Sequence, residues 1–75
     1  MFNMQVEQQM NIKDRTLLLG VPEYDVIPKS IFVDEKEFVV IGSSLGVKLP
    51  YLSLEIEKTN DNLVGKTLKQ QKNNG

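Results

Sequence analysis

The sequence predicts a mainly β protein, a small antiparallel barrel or curled sheet that is SH3-like or OB-like in architecture, with a short N-terminal helix left open as an alternative at residues 2–12. Three observations carry that prediction. In residues 51–57, Leu52, Leu54 and Ile56 alternate with Tyr51, Ser53, Glu55 and Glu57, the period of a strand with one face in a core and the other in water. Residues 30–33 and 37–41 are β-branched and aromatic runs around Asp34-Glu35-Lys36, the composition of an antiparallel hairpin. Turn-forming residues recur every ~8–12 residues, as expected for about five or six short strands in a barrel or compact sandwich.

Residues 2–12 carry two periods at once. Phe2, Met4, Val6, Met10 and Ile12 alternate as on a strand, while Phe2, Val6 and Met10 recur every fourth residue as on a helix. Thr16-Leu17-Leu18-Leu19, closed by Gly20, reads as a short central strand buried on both faces. Pro22 and Pro28 each bias the preceding residue away from helix, so residues 22–28 read as an extended loop. The link at 34–36 has no glycine, which favours a connection of three or four residues over a two-residue turn. Gly42-Ser43-Ser44-Leu45-Gly46 reads as a flexible loop, and Pro50 ends the segment before the strand at 51–57.

Residues 59–62 have turn composition, and residues 63–69 return as a last strand with Val64 and Leu68 inward. Residues 1–69 are therefore expected to form one domain and residues 70–75 a disordered tail, since the latter lack any apolar anchor. Residues 31–56 resemble small translation-factor-type barrels in their hairpin, loop and strand rhythm, with no motif specific enough to carry residues across.

Composition narrows the function classes. A chain of 75 residues commits nearly all its apolar side chains to one core, which disfavours a large enclosed catalytic cavity. The absence of Cys and His removes disulfides, thiol chemistry, zinc-finger spacings and the commonest general base, and points to the cytoplasm. No apolar run approaches the roughly 18 residues of a membrane span, and residues 1–14 are too polar for a signal peptide, so no membrane partner is expected.

The net charge of −1 argues against whole-surface attraction to nucleic acid or anionic lipid. Charge is nonetheless uneven: residues 1–57 carry five cations against nine acids, whereas residues 58–75 carry Lys58, Lys66, Lys69 and Lys72 against Asp61. The basic end offers contacts for phosphate, but without Arg or an aromatic to stack on bases it fits a solvated end better.

Three motifs look like chemistry. Gly42-Ser43-Ser44-Leu45-Gly46 matches G-x-S-x-G after a predicted strand, which would make Ser44 a nucleophile. That chemistry needs a base, an orienting acid and a helix after the elbow, and this chain has no His and leads through Val47-Lys48-Leu49-Pro50 into another strand. Residues 60–67 resemble the end of a phosphate-binding loop, with Gly65-Lys66-Thr67 in place. Asn60 replaces the first glycine, and eight residues after Thr67 are too few for the required helix and sheet, so Gly65 reads as a turn glycine before a closing strand. Asp34, Glu35 and Glu37 with Asp25 suggest a hard-cation site, but Lys36 interrupts the acids where a calcium loop alternates oxygen ligands. No apolar enclosure is evident to separate two carboxylate pKa values for acid/base work.

What remains is surface. Tyr24 lies in the proline-flanked loop and Tyr51 on the wet face of its strand, and exposed aromatics are enriched in binding sites. The expected function is a non-catalytic binding or adaptor module, with a protein partner or a second copy meeting a sheet face and the loops at 22–28 and 42–50. Tyr24, Tyr51, Lys48, Lys58, Lys66 and Lys69 are the expected binding residues. The alternative is RNA or single-stranded DNA binding through the basic end, and a serine hydrolase using Ser44 comes third. No catalytic residue, cofactor or metal is assigned.

Overall fold

Tight reversal between two twisted strands requires left-handed backbone geometry in the connection. Two non-glycine residues adopt it, Lys13 with φ 49° and Asp34 with φ 57°. Each opens a two-residue turn, because Ile12 pairs with Arg15 and Val33 with Lys36. The second hairpin is therefore tighter than the three or four residues expected; Asp tolerates this region because its short polar side chain bonds locally.

The computed structural model describes residues 2–23, 26–45 and 51–70. They form six strands: β1 (Asn3–Ile12), β2 (Arg15–Pro22), β3 (Ser30–Val33), β4 (Lys36–Leu45), β5 (Leu52–Glu57) and β6 (Thr67–Lys69). Among the described residues there is no helix, which settles residues 2–12 as strand. All pairings are antiparallel and close into a barrel in the order β1-β2-β5-β4-β3-β6. Strands β3, β4 and β5 are consecutive neighbours, and β6 returns beside β3, a Greek key. Strands β2 and β3, and likewise β5 and β6, follow one another in the chain yet stand three places apart in the ring.

Inside, Phe2, Met4, Val6, Leu18, Ile31, Val33, Phe38, Leu52, Leu54, Ile56, Leu63 and Leu68 form one buried cluster. The alternation expected of residues 51–57 is present, with Leu52, Leu54 and Ile56 inward. Strand β2 departs from expectation: Thr16, Leu18 and Gly20 are buried, but Leu17 and Leu19 face outward and are only half-buried. A barrel wall has one interior, so a continuous apolar run here supplies both the core and an outer stripe.

Three further expectations are corrected. Gly42, Ser43, Ser44 and Leu45 are the last residues of β4 and pair with Glu55, Leu54, Ser53 and Leu52, so this stretch extends a strand where a flexible loop was expected. Pairing along β5 holds it extended, and the turn-prone composition yields to that tertiary contact. The last strand is also shorter than expected, and its inward apolar partner for Leu68 is Leu63, while Val64 is 47% exposed. Gly65, at φ +88°, forms the turn that causes this: its N–H donates to the Val6 carbonyl at 2.8 Å, and the Val6 N–H donates to the Lys66 carbonyl at 2.8 Å. Pro22, expected in the loop, is the last residue of β2 opposite Met4.

The barrel's seam is thin. Strand β6 meets β1 over Asn3, Met4 and Gln5, and meets β3 at the single pair Phe32 and Lys69. Gln70 reinforces it, its N–H donating to the Phe2 carbonyl at 3.2 Å while its Oε1 accepts the Phe2 N–H at 3.0 Å. Residues 71–75 of the expected tail lie outside the described residues.

One irregularity organises the surface. Pairing of β1 with β2 shifts between Val6 and Gln8, leaving Glu7 as a bulge. Before it, Met4 and Val6 point inward; after it, Gln9 and Asn11 sit opposite the inward Leu18 and Thr16. A one-residue slip transfers every following side chain to the other face. Met10 and Ile12 therefore lie outside, 59% and 40% exposed.

The amides that replace them tie down the β5–β6 connection. Gln9 Oε1 accepts the Leu63 N–H at 2.7 Å and its Nε2 donates to the Asp61 carbonyl at 2.8 Å. Thr16 Oγ1 donates to Asn11 Oδ1 at 2.7 Å and accepts the Thr59 N–H at 3.0 Å. Thr16 is fully buried, and among the described residues no buried side-chain polar atom lacks a partner.

Candidate binding surface

The outer face of the barrel follows from the same registers. Across β1 and β2, Met10 lies opposite Leu17, Gln8 opposite Leu19 and Gln5 opposite Val21. Leu19 is in turn opposite Ser53 of β5, and Leu17 opposite Glu55. Met10, Ile12, Leu17, Leu19 and Val21 thus share one outer stripe, with Val21 40% exposed. A shallow depression of about 190 Å³ sits on it, lined by Gln8, Gln9, Met10, Leu17, Leu19 and Ser53. Tyr51, half-buried, precedes β5 with the outward parity of Ser53 and prolongs this face toward Val21.

Charge borders the stripe on one side. Arg15 Nη1 donates to Glu55 Oε1 at 2.5 Å and its Nε lies 3.5 Å from an Asp14 carboxylate oxygen. The Glu55 hydrogen bond and charge, with a smaller contribution from Asp14, push the Arg15 guanidinium above its ordinary value. Glu57 Oε1 accepts the Val39 N–H at 3.3 Å. Both carboxylates are engaged within the sheet, and the apolar stripe begins where they end.

A second depression of about 640 Å³ lies at the barrel end between the β3–β4 turn and the β5–β6 connection. Its apolar floor, Val33, Phe38 and Leu63, is almost fully buried, so its accessible walls are ionic. Lys36 Nζ lies 2.7 Å from Asp61 Oδ2 and 5.3 Å from the centroid of the Phe38 ring, and Lys66 Nζ lies 3.2 Å from Asp34 Oδ2. Of the acids weighed in the sequence as a hard-cation site, only Asp34 enters one of these pairs, Asp25 lies outside the described residues, and no three-residue acidic cluster suited to a metal occurs among the described residues.

The Lys36 hydrogen bond and charge hold the Asp61 carboxyl below its ordinary value. A carboxylate depressed in the folded state stabilises above its unfolded pKa and loses that stabilisation as pH falls through the folded value. Protection of the β5–β6 connection against hydrogen exchange, taken relative to the intrinsic exchange rate at each pH, should therefore fall on acidification below the ordinary aspartate range. Lys36→Ala should remove that dependence while leaving exchange in β5 unchanged. Both partners are about half exposed, so the effect is local and small.

The expected binding residues are dispersed by the fold. Tyr24 and Lys48 lie outside the described residues. Lys66 and Lys69 flank a depression of about 320 Å³ with Asp34, Gly65 and Thr67. Strand β6, which Lys66 precedes and Lys69 ends, lies diametrically opposite β5 in the ring. Tyr51 and Lys58 stand at opposite ends of β5, roughly 20 Å apart at strand rise. Tyr51 and the three described lysines therefore do not share one patch.

Sequence reading missed Met10, Ile12, Leu17 and Leu19 as surface residues because each fits a core pattern; the doubled period in residues 2–12 was the available signal for the bulge. Ser44 stands opposite Ser53 within the sheet, without the strand-to-helix turn of a nucleophile elbow. No helix among the described residues is long and apolar enough to cross a membrane. Comparison of the chain with protein-family models, with curated proteins and with solved structures gives no match.

Proposed function

We propose that this chain is a non-catalytic binding module that receives a protein partner on the outer face of β1, β2 and β5. The observation that carries the reading is the outer stripe in which Met10, Ile12 and Val21 are exposed and Leu17 and Leu19 half-buried, on a barrel whose interior is already filled by other side chains. Scattered apolar residues are ordinary on protein surfaces, whereas a contiguous stripe with a polar border is the composition of an interaction site. The bulge at Glu7 supports it further, since without the shift Met10 and Ile12 would follow Val6 into the barrel. Tyr51 adds an amphipathic ring at the margin.

The test places a charge in the stripe. Leu19→Asp should abolish retention of a partner captured by the unaltered protein, a loss of at least ~2 kcal/mol if Leu19 lies at the centre of the contact. Val39→Asp, on the outer face of β4, should leave retention unchanged. Equal retention by both variants would refute the reading. RNA or single-stranded DNA binding remains the alternative, supported by Lys66 and Lys69 on one depression but weakened by their separation from Tyr51. It requires affinity that falls steeply with salt.

A further inference from the structure

Sulfur in this chain is confined to methionine. There are three Met and no Cys, so no thiol of the chain competes for a peroxide. The two methionines of β1 stand on opposite sides of the Glu7 bulge and meet opposite environments. Met4, before it, is 1% exposed in the core, whereas Met10, after it, is 59% exposed. Met1 lies outside the described residues. Met10 is opposite Leu17 and lines the depression of about 190 Å³ on the outer stripe, together with Gln8, Leu19 and Ser53. Its side chain is thus both an accessible sulfur and an apolar contact group of the stripe.

We propose that Met10 is an oxidation site: a hydroperoxide converts its thioether to the sulfoxide, and the sulfoxide withdraws the outer stripe from its protein partner. The second half rests on the binding reading of that stripe. The sulfur lone pair attacks one peroxide oxygen, and an S–O bond forms as the O–O bond breaks. The proton of the attacked oxygen passes to the departing one, which leaves as an alcohol, or as water from hydrogen peroxide. Sulfur loses two electrons and the peroxide gains them. An external dithiol reductant reverses the change, two thiols and the sulfoxide giving a disulfide, water and the thioether.

Position decides the consequence. Oxidation turns a flexible apolar side chain into a polar one. At Met4 that dipole would enter a filled core, but at Met10 it stays on the surface, so the fold persists while the stripe becomes polar. Gln8 and Ser53 line the same depression and bring an amide and a hydroxyl as donors for the sulfoxide oxygen. A partner that excludes water there exchanges an apolar contact for the cost of burying that oxygen.

Hydrogen peroxide treatment of the full chain, followed by peptide mass mapping, tests the site. Met10 should gain an oxygen about ten-fold faster than Met4 or more, because oxidation follows exposure, and the urea midpoint should not change. On a phenyl-derivatised column the treated chain should elute earlier than the untreated one, and untreated Met10→Gln should elute early without peroxide. Met10→Leu, compared with its own untreated form, should not shift on treatment, which excludes a contribution from Met1. The partner captured by the unaltered protein should be held about ten-fold more weakly after oxidation, the cost of burying one polar oxygen. Equal oxidation of Met4 and Met10, a lowered midpoint, or a Met10→Leu chain that shifts on treatment as far as the unaltered one overturns the proposal. A partner released by Leu19→Asp yet held undiminished by the oxidised chain overturns it while the stripe reading stands. Leu19→Asp that releases nothing removes the stripe reading, and the switch with it.

Discussion

Leu54→Ala is expected to destabilise the protein by about 2–5 kcal/mol in urea unfolding, the range for removing a large aliphatic side chain from a core that cannot collapse around the void. Leu54 is fully buried at the middle of β5, between Leu18 of β2 and Ser43 of β4. Its neighbours are held by ladders on both sides, which restricts relaxation. Stability of roughly 0.05–0.15 kcal/mol per residue implies about 4–11 kcal/mol for a chain of this length, so one truncation removes a large share. Ser53→Ala, one residue away on the outer face, should change the unfolding midpoint little. Comparable losses for the two substitutions would contradict the inward and outward assignment of β5.

Gly20→Ala is expected to be the most damaging single-methyl change. A Cβ there overlaps the Gln5 carbonyl oxygen and stands 3.0 Å from Met4 Cγ. The obstacle is backbone, which a rotamer change cannot relieve, so β1 must shift and the cost should reach about 1–3 kcal/mol or more. Gly20 is buried opposite Val6, immediately before the Glu7 bulge. Moving β1 there disturbs the register that brings Gln9 inward and Met10 outward. The thermal midpoint should fall, and the amides of Leu63 and Asp61 in the tethered connection should exchange faster than in Leu54→Ala variants of equal global stability. An unchanged midpoint would show that β1 does not approach β2 this closely. Gly42, whose added Cβ would meet Glu55 Oε2 only at 3.7 Å, provides the control.

These two changes separate what was legible in residue order from what was not. Strand β5 was plain because its alternation is uninterrupted and its charged positions leave only one face for the core. The hairpin of β3 and β4 was plain for the same reason, though its two-residue turn depended on Asp34 accepting a left-handed backbone. The Greek-key return of β6 was not legible: a three-residue strand carries too little pattern, and its pairing with β1 and β3 joins segments from opposite ends of the chain.

The candidate surface was harder still. Leu17, Leu19, Met10 and Ile12 are apolar, and apolar residues in strand-like runs read as core. Only counting the pairs across β1 and β2 reveals one extra residue at Glu7, after which inside and outside exchange. The lysines of the basic end were legible as charge but not as places, since β6 carries Lys69 to the side of the barrel opposite Tyr51.

By itself, then, the order of residues determined that the chain is built from short antiparallel strands, because a two-residue period and turn chemistry are local properties. Tertiary structure alone decided which apolar residues are buried, how the ring closes and where β1 exchanges its inner and outer faces. Those outcomes depend on register between segments distant in sequence, and a single bulged residue, invisible in composition, is enough to turn half a strand from the core to the surface.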